Sequence, residues 1–94
     1  MNWKKGLVIA SVGWYLMMPF DKSNGYYLNL RMPISQWQQW GIFDHAVECD
    51  MEATEMRKTE VKIYEDKPTN NNRRIMDVVE EGLCIASDDP RLAK

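Results

Sequence analysis

The first long apolar run in the chain is WKKGLVIASVGWYLMMPF, from Trp3 to Phe20. No residue in it is charged after Lys5, and Lys4 and Lys5 precede the apolar part. A positive start followed by an apolar run is the layout of a signal peptide or a signal anchor. As a helix these residues would span about 27 Å, close to the roughly 30 Å of hydrocarbon in a bilayer. We therefore predict an N-terminal membrane helix within residues 1–20.

The residues flanking this run predict its orientation. Trp3 lies at one end, and Trp14 and Tyr15 lie nearer the other, as expected of aromatic anchors at the two membrane interfaces. Lys4 and Lys5 keep the N-terminus in the cytoplasm under the positive-inside rule. The predicted helix would contact lipid in the inner membrane, and the following domain would lie in the periplasm or outside the cell.

Two alternatives to a retained anchor stay open. A signal peptide could be removed, and the best pair of small residues is Ser23 and Gly25, at positions −3 and −1 of a cut before Tyr26. The run could also be a buried N-terminal helix of a soluble protein. Pro19 ends the helix in each case, and residues 21–25 are rich in turn formers and predict a linker.

Residues 26–94 are predicted to form one small domain, of a size at which a hydrophobic core alone gives marginal stability. All 14 acidic residues of the chain lie after position 20, together with ten of its 12 basic residues. That part of the chain therefore carries a net charge of −4. Its basic residues are not clustered as a nucleic-acid surface requires, so nucleic acid is not an expected partner.

Hydrophobic periodicity and turn residues predict an α+β fold for this domain. A long helix starts with Asp44 as its N-cap and places Cys49 and Ala53 on an apolar face. Where the helix ends is open, because residues 59–66 suit either a helix or a strand. The other predicted elements are strands over Tyr26–Met32, Trp37–Phe43 and Leu83–Ser87, and a helix over Arg73–Glu81 that ends before Gly82.

The two cysteines, Cys49 and Cys84, have different interpretations in different compartments. In an exported domain they predict a single disulfide, whereas in a cytosolic chain they would be two buried or free thiols. A bridge across 35 residues would stabilise the fold by about 3–4 kcal/mol through the lost entropy of the unfolded chain.

Four short motifs carry a resemblance to known proteins: GWYLMMP, PISQW, FDHAVEC and CIASDDPRL. Together with the positive start, they make the chain similar to a group of small exported bacterial proteins that have no assigned activity. The match covers both ends and the middle and leaves Lys58 to Gly82 unmatched. The resemblance implies export and pairing of Cys49 with Cys84, and it implies no activity.

Few residues are candidates for chemistry. His45 is the only histidine, with no second histidine for zinc and no C-x-x-C-H motif for haem. Asp88 and Asp89 lack the alternating acids of a calcium loop, so a turn is the better interpretation. His45 and Cys49 could share a helix face as a base and a nucleophile, but a disulfide explains Cys49 more simply. We expect no catalytic residue, metal or cofactor, and the protein is not predicted to be an enzyme.

The tryptophan strand predicts a partner surface. Alternation places Trp37 and Phe43 on one face and Trp40 and Ile42 on the other. We expect the Trp37 side to pack on the long helix, which leaves Trp40 and Ile42 for a partner. A bulge at Gly41 would instead place Trp40 with Phe43.

The predicted function is that of a non-catalytic accessory or structural subunit with one membrane pass. Its outer domain would bind a larger membrane protein complex. The alternative is a free periplasmic or secreted binding module, released by cleavage near Gly25.

Overall fold

A computed structural model describes residues 12–22 and 27–93 of the chain. Its central element is strand β1 (Trp14–Met18), which pairs on both sides with antiparallel neighbours. A second sheet of two strands begins at Phe20, two residues after the end of β1. The other strands are β2 (Phe20–Asp21), β3 (Tyr27–Leu28), β4 (Gln38–Phe43) and β5 (Leu83–Ala86), with β4 and β5 beside β1 and β2 paired with β3.

Two helices, α1 (Ala46–Asp66) and α2 (Asn70–Glu80), pack together and against one face of the three-stranded sheet. Leu16 and Met18 point from β1 into this layer and are fully buried. The residues that meet them are Phe20 in β2, Cys49 and Ala53 in α1, and Val78 and Val79 in α2. The predicted α+β class is confirmed, and the main core lies between the sheet and the helices.

The other face of the sheet carries a smaller core of three buried residues, Met17, Trp37 and Ile85. Two 3-10 turns, Ile34–Gln36 and Pro90–Leu92, contact each other and supply Ile34 and Leu92 as its cover. Strand β1 is therefore apolar on both sides because both of its sides are packed.

The predicted helix over Trp3–Phe20 is wrong for its second half, because Trp14–Met18 and Phe20 lie in strands. An uninterrupted apolar run is as typical of a strand buried on both faces as of a membrane helix, and periodicity cannot separate the two. No helix within residues 12–22 and 27–93 has both the length and the apolar character to cross a membrane.

The five residues predicted to anchor the membrane helix fall into two groups, those in β1 and those outside the described residues. Trp14 packs against the core on the helix side, and Tyr15 packs against the smaller core on the other side. Trp3, Lys4 and Lys5 lie outside the described residues. The structure thus assigns Trp14 and Tyr15 to the two faces of a sheet.

Helix α1 begins one residue later than predicted. Its N-cap is His45, not Asp44, because the Glu48 carboxylate accepts a hydrogen bond from the His45 backbone N–H at 3.1 Å. The helix continues without interruption to Asp66, so residues 59–66 are helical. The buried face of the helix is the one that bears Cys49 and Ala53, as predicted.

Helix α2 begins three residues before its predicted start at Arg73. Thr69 caps it, since its hydroxyl oxygen accepts from the Asn72 backbone N–H at 3.1 Å. Gly82, just after the helix, is a point of close approach: a Cβ there would lie 2.6 Å from the Met18 sulfur. The late strand, predicted over Leu83–Ser87, is present as β5.

Candidate binding surface at the edge of the sheet

Strand β4 forms one edge of the three-stranded sheet and contains a bulge. Its register against β1 runs Tyr15 to Ile42 and Leu16 to Gly41, then shifts so that Met17 meets Gln39. Trp40 is therefore the extra residue of a β-bulge. A bulge changes which side chains of a strand share a face of the sheet. The positions of Trp40, Ile42 and Trp37 follow from this change.

Trp40 lies on the helix side of the edge. Its ring centroid is 5.1 Å from that of Phe20, at an interplanar angle of 33°, and Phe20 belongs to the core on the helix side. Trp40 nevertheless remains 42% exposed. The ring therefore has one side on the protein and another side available to a partner.

Ile42 lies on the opposite side of the same strand. It stands across from Tyr15, whose face of the sheet is the one away from the helices, and it is 66% exposed. Trp40 and Ile42 were predicted to share a face, and the bulge separates them. Both are exposed, but they flank the edge of β4 from opposite faces.

Trp37 was predicted to pack on the long helix, and that prediction is wrong. It precedes β4, at the end of the Ile34–Gln36 turn, and is buried to 8% exposure in the smaller core. Its indole Nε1 donates a hydrogen bond to the Met32 carbonyl oxygen at 2.8 Å. The single extra residue at Trp40 explains the error, because it puts Trp37 and Phe43 on opposite faces.

The edge of β4 has three further properties that matter for binding. Among the described residues β4 pairs only with β1, so its outer backbone groups face no other strand. The sequence from Pro33 to Phe43 contains no charged residue. Phe43 folds back over Gly41, where a Cβ would come within 2.8 Å of the ring. The result is an uncharged strand edge with one exposed apolar side chain on each face.

Cys49 and Cys84 form a disulfide, as predicted. Their Cα atoms are 6.0 Å apart, and the bridge joins the second turn of α1 to β5. Cys49 is fully buried beneath the sheet. Both sulfurs are consumed in the bridge, which removes Cys49 as a thiol nucleophile in this state.

The residues weighed for metal chemistry lie apart from this edge. His45 is exposed at the start of α1, and no group of three metal-ligating side chains occurs within the described ranges. Asp89 caps the final turn: it accepts from the Arg91 backbone N–H at 2.8 Å and pairs with the Arg91 guanidinium. The Arg91 side chain and backbone hydrogen bonds lower the pKa of Asp89 to about 2.

We expect this pairing to show in the titration of Asp89. Its carboxyl group, followed by carbon NMR chemical shift, should titrate near pH 2 in the unaltered protein and closer to 3.8 in Arg91→Gln. Because the folded-state pKa is depressed, the stabilisation is present above about pH 4 and lost as the pH falls towards 2. Arg73→Gln, which changes another exposed arginine, should leave the midpoint in place. A midpoint near 3.8 in the unaltered protein would contradict the pairing.

Comparison of the chain with protein families, with characterised proteins and with solved structures finds no match. Two residues of the candidate binding surface, Tyr15 and Phe20, were missed because they fell within the predicted membrane segment. No pattern in the apolar run distinguishes them, since their neighbours on both faces of the sheet are equally apolar.

Proposed function

We propose that the chain is an exported, non-catalytic accessory or structural subunit that binds a larger membrane protein complex through the edge of β4. The observation that carries the proposal is the pair of exposed apolar side chains, Trp40 and Ile42, on the two faces of an uncharged edge strand. Natural edge strands are commonly protected by charges, so an uncharged and partly apolar edge is suited to a partner. Tryptophan is also favoured at interface hot spots.

Two observations support an extracytoplasmic location. The Cys49–Cys84 disulfide is the kind of bond that persists in oxidising compartments such as the periplasm. The resemblance to small exported bacterial proteins points the same way. Lipid contact by Trp3 and the neighbouring lysines stays a prediction, as does the periplasmic or extracellular placement of the domain.

The predicted membrane pass does not enter this proposal. It would need residues up to Phe20, and those from Trp14 onward form buried strands. In the proposal, contact with the partner complex holds the domain at the membrane.

The second candidate is a free periplasmic or secreted binding module. It is favoured by two hydrogen bonds that join the residue before β1 to the residue after β5 and so keep β1 within the domain. The Gly13 backbone N–H donates to the Ser87 hydroxyl at 3.1 Å, and the Ser87 N–H donates to the Gly13 carbonyl at 2.8 Å. A cut before Tyr26 would remove this contact together with β1. Release of a folded module therefore requires a cut upstream of Gly13.

The test compares Trp40→Ala with Trp37→Ala in a tagged chain purified from membranes in mild detergent. We expect Trp40→Ala to leave the domain folded and to lower partner recovery, since truncating an interface tryptophan often costs about 2 kcal/mol or more. Trp37→Ala should instead destabilise the domain by about 3–5 kcal/mol, because it empties a buried site.

Met51→Ala is the matched control for this experiment. Met51 is 64% exposed on α1 and, being two residues from the buried Cys49, lies on the opposite face of that helix. Its truncation should change neither folding nor recovery. Mass spectrometry of the recovered complex identifies the partner. Unchanged recovery with Trp40→Ala, or unfolding of that variant, would show that Trp40 is not the binding residue.

A further inference from the structure

We infer that the hairpin of β2 and β3, together with the turn that follows it, binds the surface of an anionic lipid bilayer. We call this part of the molecule the hairpin surface. Its apolar members are Tyr27, Leu28 and Leu30, and its basic members are Lys22, Arg31 and Arg74. The inference goes beyond the proposed function, which holds the domain at the membrane through a protein partner.

The apolar side chains of the hairpin surface are the first reason. Tyr27 and Leu30 are each 54% exposed, and Leu28 is 37% exposed. Tyr27 and Leu28 are neighbours in β3, so their side chains point to opposite faces of the hairpin. Within the described part of the chain β3 pairs only with β2, which leaves it as an outer strand. A hairpin with apolar side chains on both faces can enter a lipid interface edge-on and bring both faces into contact with lipid.

The distribution of charge is the second reason. Residues 22–43 contain two basic residues and no acidic one, whereas residues 44–94 contain eight basic and 13 acidic residues and carry a net charge of −5. The acid next to the hairpin surface is Asp21, whose carboxylate accepts a hydrogen bond from the Asn29 side-chain amide at 2.8 Å. An acidic domain with a basic segment is attracted to an anionic surface through that segment.

The basic side chains of the hairpin surface lack carboxylate partners. No described carboxylate forms a salt bridge with Lys22, Arg31 or Arg74. The Arg74 guanidinium lies over the Tyr27 ring, 5.1 Å from its centroid, and donates to the side-chain oxygen of Asn71. Its Nε is buried and has no hydrogen-bond partner among the described residues. These cations are therefore available to phosphate groups, which arginine can bind through two parallel hydrogen bonds.

The combination of groups favours a lipid over an acidic protein. Tyrosine is enriched at membrane interfaces, where its ring lies at the level of the headgroups, and basic residues beside it meet anionic lipid. The position of the hairpin agrees with this choice, because Trp40 at the β4 edge stacks on Phe20, which pairs with Leu28. A membrane complex bound at that edge brings a bilayer close to the hairpin. Only this last point rests on the proposed function.

Vesicle sedimentation of the purified full-length chain provides the test. Vesicles of phosphatidylglycerol and phosphatidylcholine in equal parts should bind the chain at low salt, and vesicles of phosphatidylcholine alone should bind it less. Arg31→Gln should weaken binding to the anionic vesicles about fivefold, the contribution of one basic residue near such a surface. Leu30→Ser should weaken it about tenfold, because a leucine side chain no longer leaves water. Lys62→Gln and Met51→Ser are the matched controls on α1, where both residues are exposed, and should bind as the unaltered chain does.

Thermal unfolding of each variant shows that the loss is one of binding, since the two hairpin substitutions replace exposed side chains. An unaltered chain that does not bind the anionic vesicles overturns the inference, as does equal binding to both kinds of vesicle. Binding that both hairpin variants retain, or that the controls lose equally, overturns it as well, because another surface would then contact the lipid. Capture of the chain by immobilised poly-glutamate but not by vesicles would assign the hairpin surface to an acidic protein. Each of these failures leaves the proposed function standing, because recovery of the partner complex from detergent needs no bilayer.

Discussion

A chain that begins at Tyr26 should not fold. It lacks β1, whose Leu16 and Met18 are fully buried, and β4 and β5 would then have no strand between them. We expect the free energy lost with β1 to exceed the roughly 5–15 kcal/mol that typically stabilises a folded domain. Circular dichroism and thermal unfolding should show no cooperative transition.

A chain that begins at Val12 is the matched control, because it keeps every strand that the structure describes. We expect it to unfold cooperatively. In cells, mass spectrometry of the mature protein should place its N-terminus at or before Gly13. A stable, cooperatively unfolding chain that starts at Tyr26 would show that β1 is dispensable, and would restore the cleavage site predicted after Gly25.

Loss of the disulfide should have the second largest effect. Cys84→Ala should lower the free energy of unfolding by about 3–4 kcal/mol, because the bridge closes a 35-residue separation in the unfolded chain. A domain of this size has little other stabilisation to replace it. Denaturant unfolding of oxidised protein measures the difference.

The control for this comparison is the unaltered chain in reductant. Once its bridge is broken, it should unfold at nearly the same denaturant concentration as Cys84→Ala. Alkylation of fresh native protein without reductant should modify no cysteine. Two alkylated cysteines, or equal stability of the oxidised chain and the variant, would contradict the stabilising bridge.

The α+β class and the long helix were predictable from the sequence because their elements have local signatures, whereas the disulfide was predicted from the expected compartment and the resemblance. Helix α1 has apolar residues at helical spacing, and the cysteines were assigned through an export pattern. Trp14–Met18 had no such signature: a strand covered on both faces is apolar at every position, as a membrane helix is. Most of what covers β1 lies at least 20 residues away in sequence, in β4, the helices and β5, and no local pattern indicates it.

The candidate binding edge was predicted in part. Trp40 and Ile42 were singled out, and the bulge that separates them was considered, but its presence depends on how β4 meets β1. A bulge inserts one residue into one strand of a pair, so it is a property of two strands together. The sequence of β4 alone therefore could not assign Trp37 to the face away from the helices.

The reciprocal hydrogen bonds between Gly13 and Ser87 join positions 74 residues apart. Strand β1 is the first of the described strands along the chain, and one of its two neighbours, β5, is the last. Such a topology has a high contact order, which slows folding, and the sheet cannot close before β5 has been synthesised. The sheet of the nascent chain therefore stays open until β5 has been made. If the domain is exported as proposed, this late closure leaves time for transport, because a secretion channel accepts an unfolded chain.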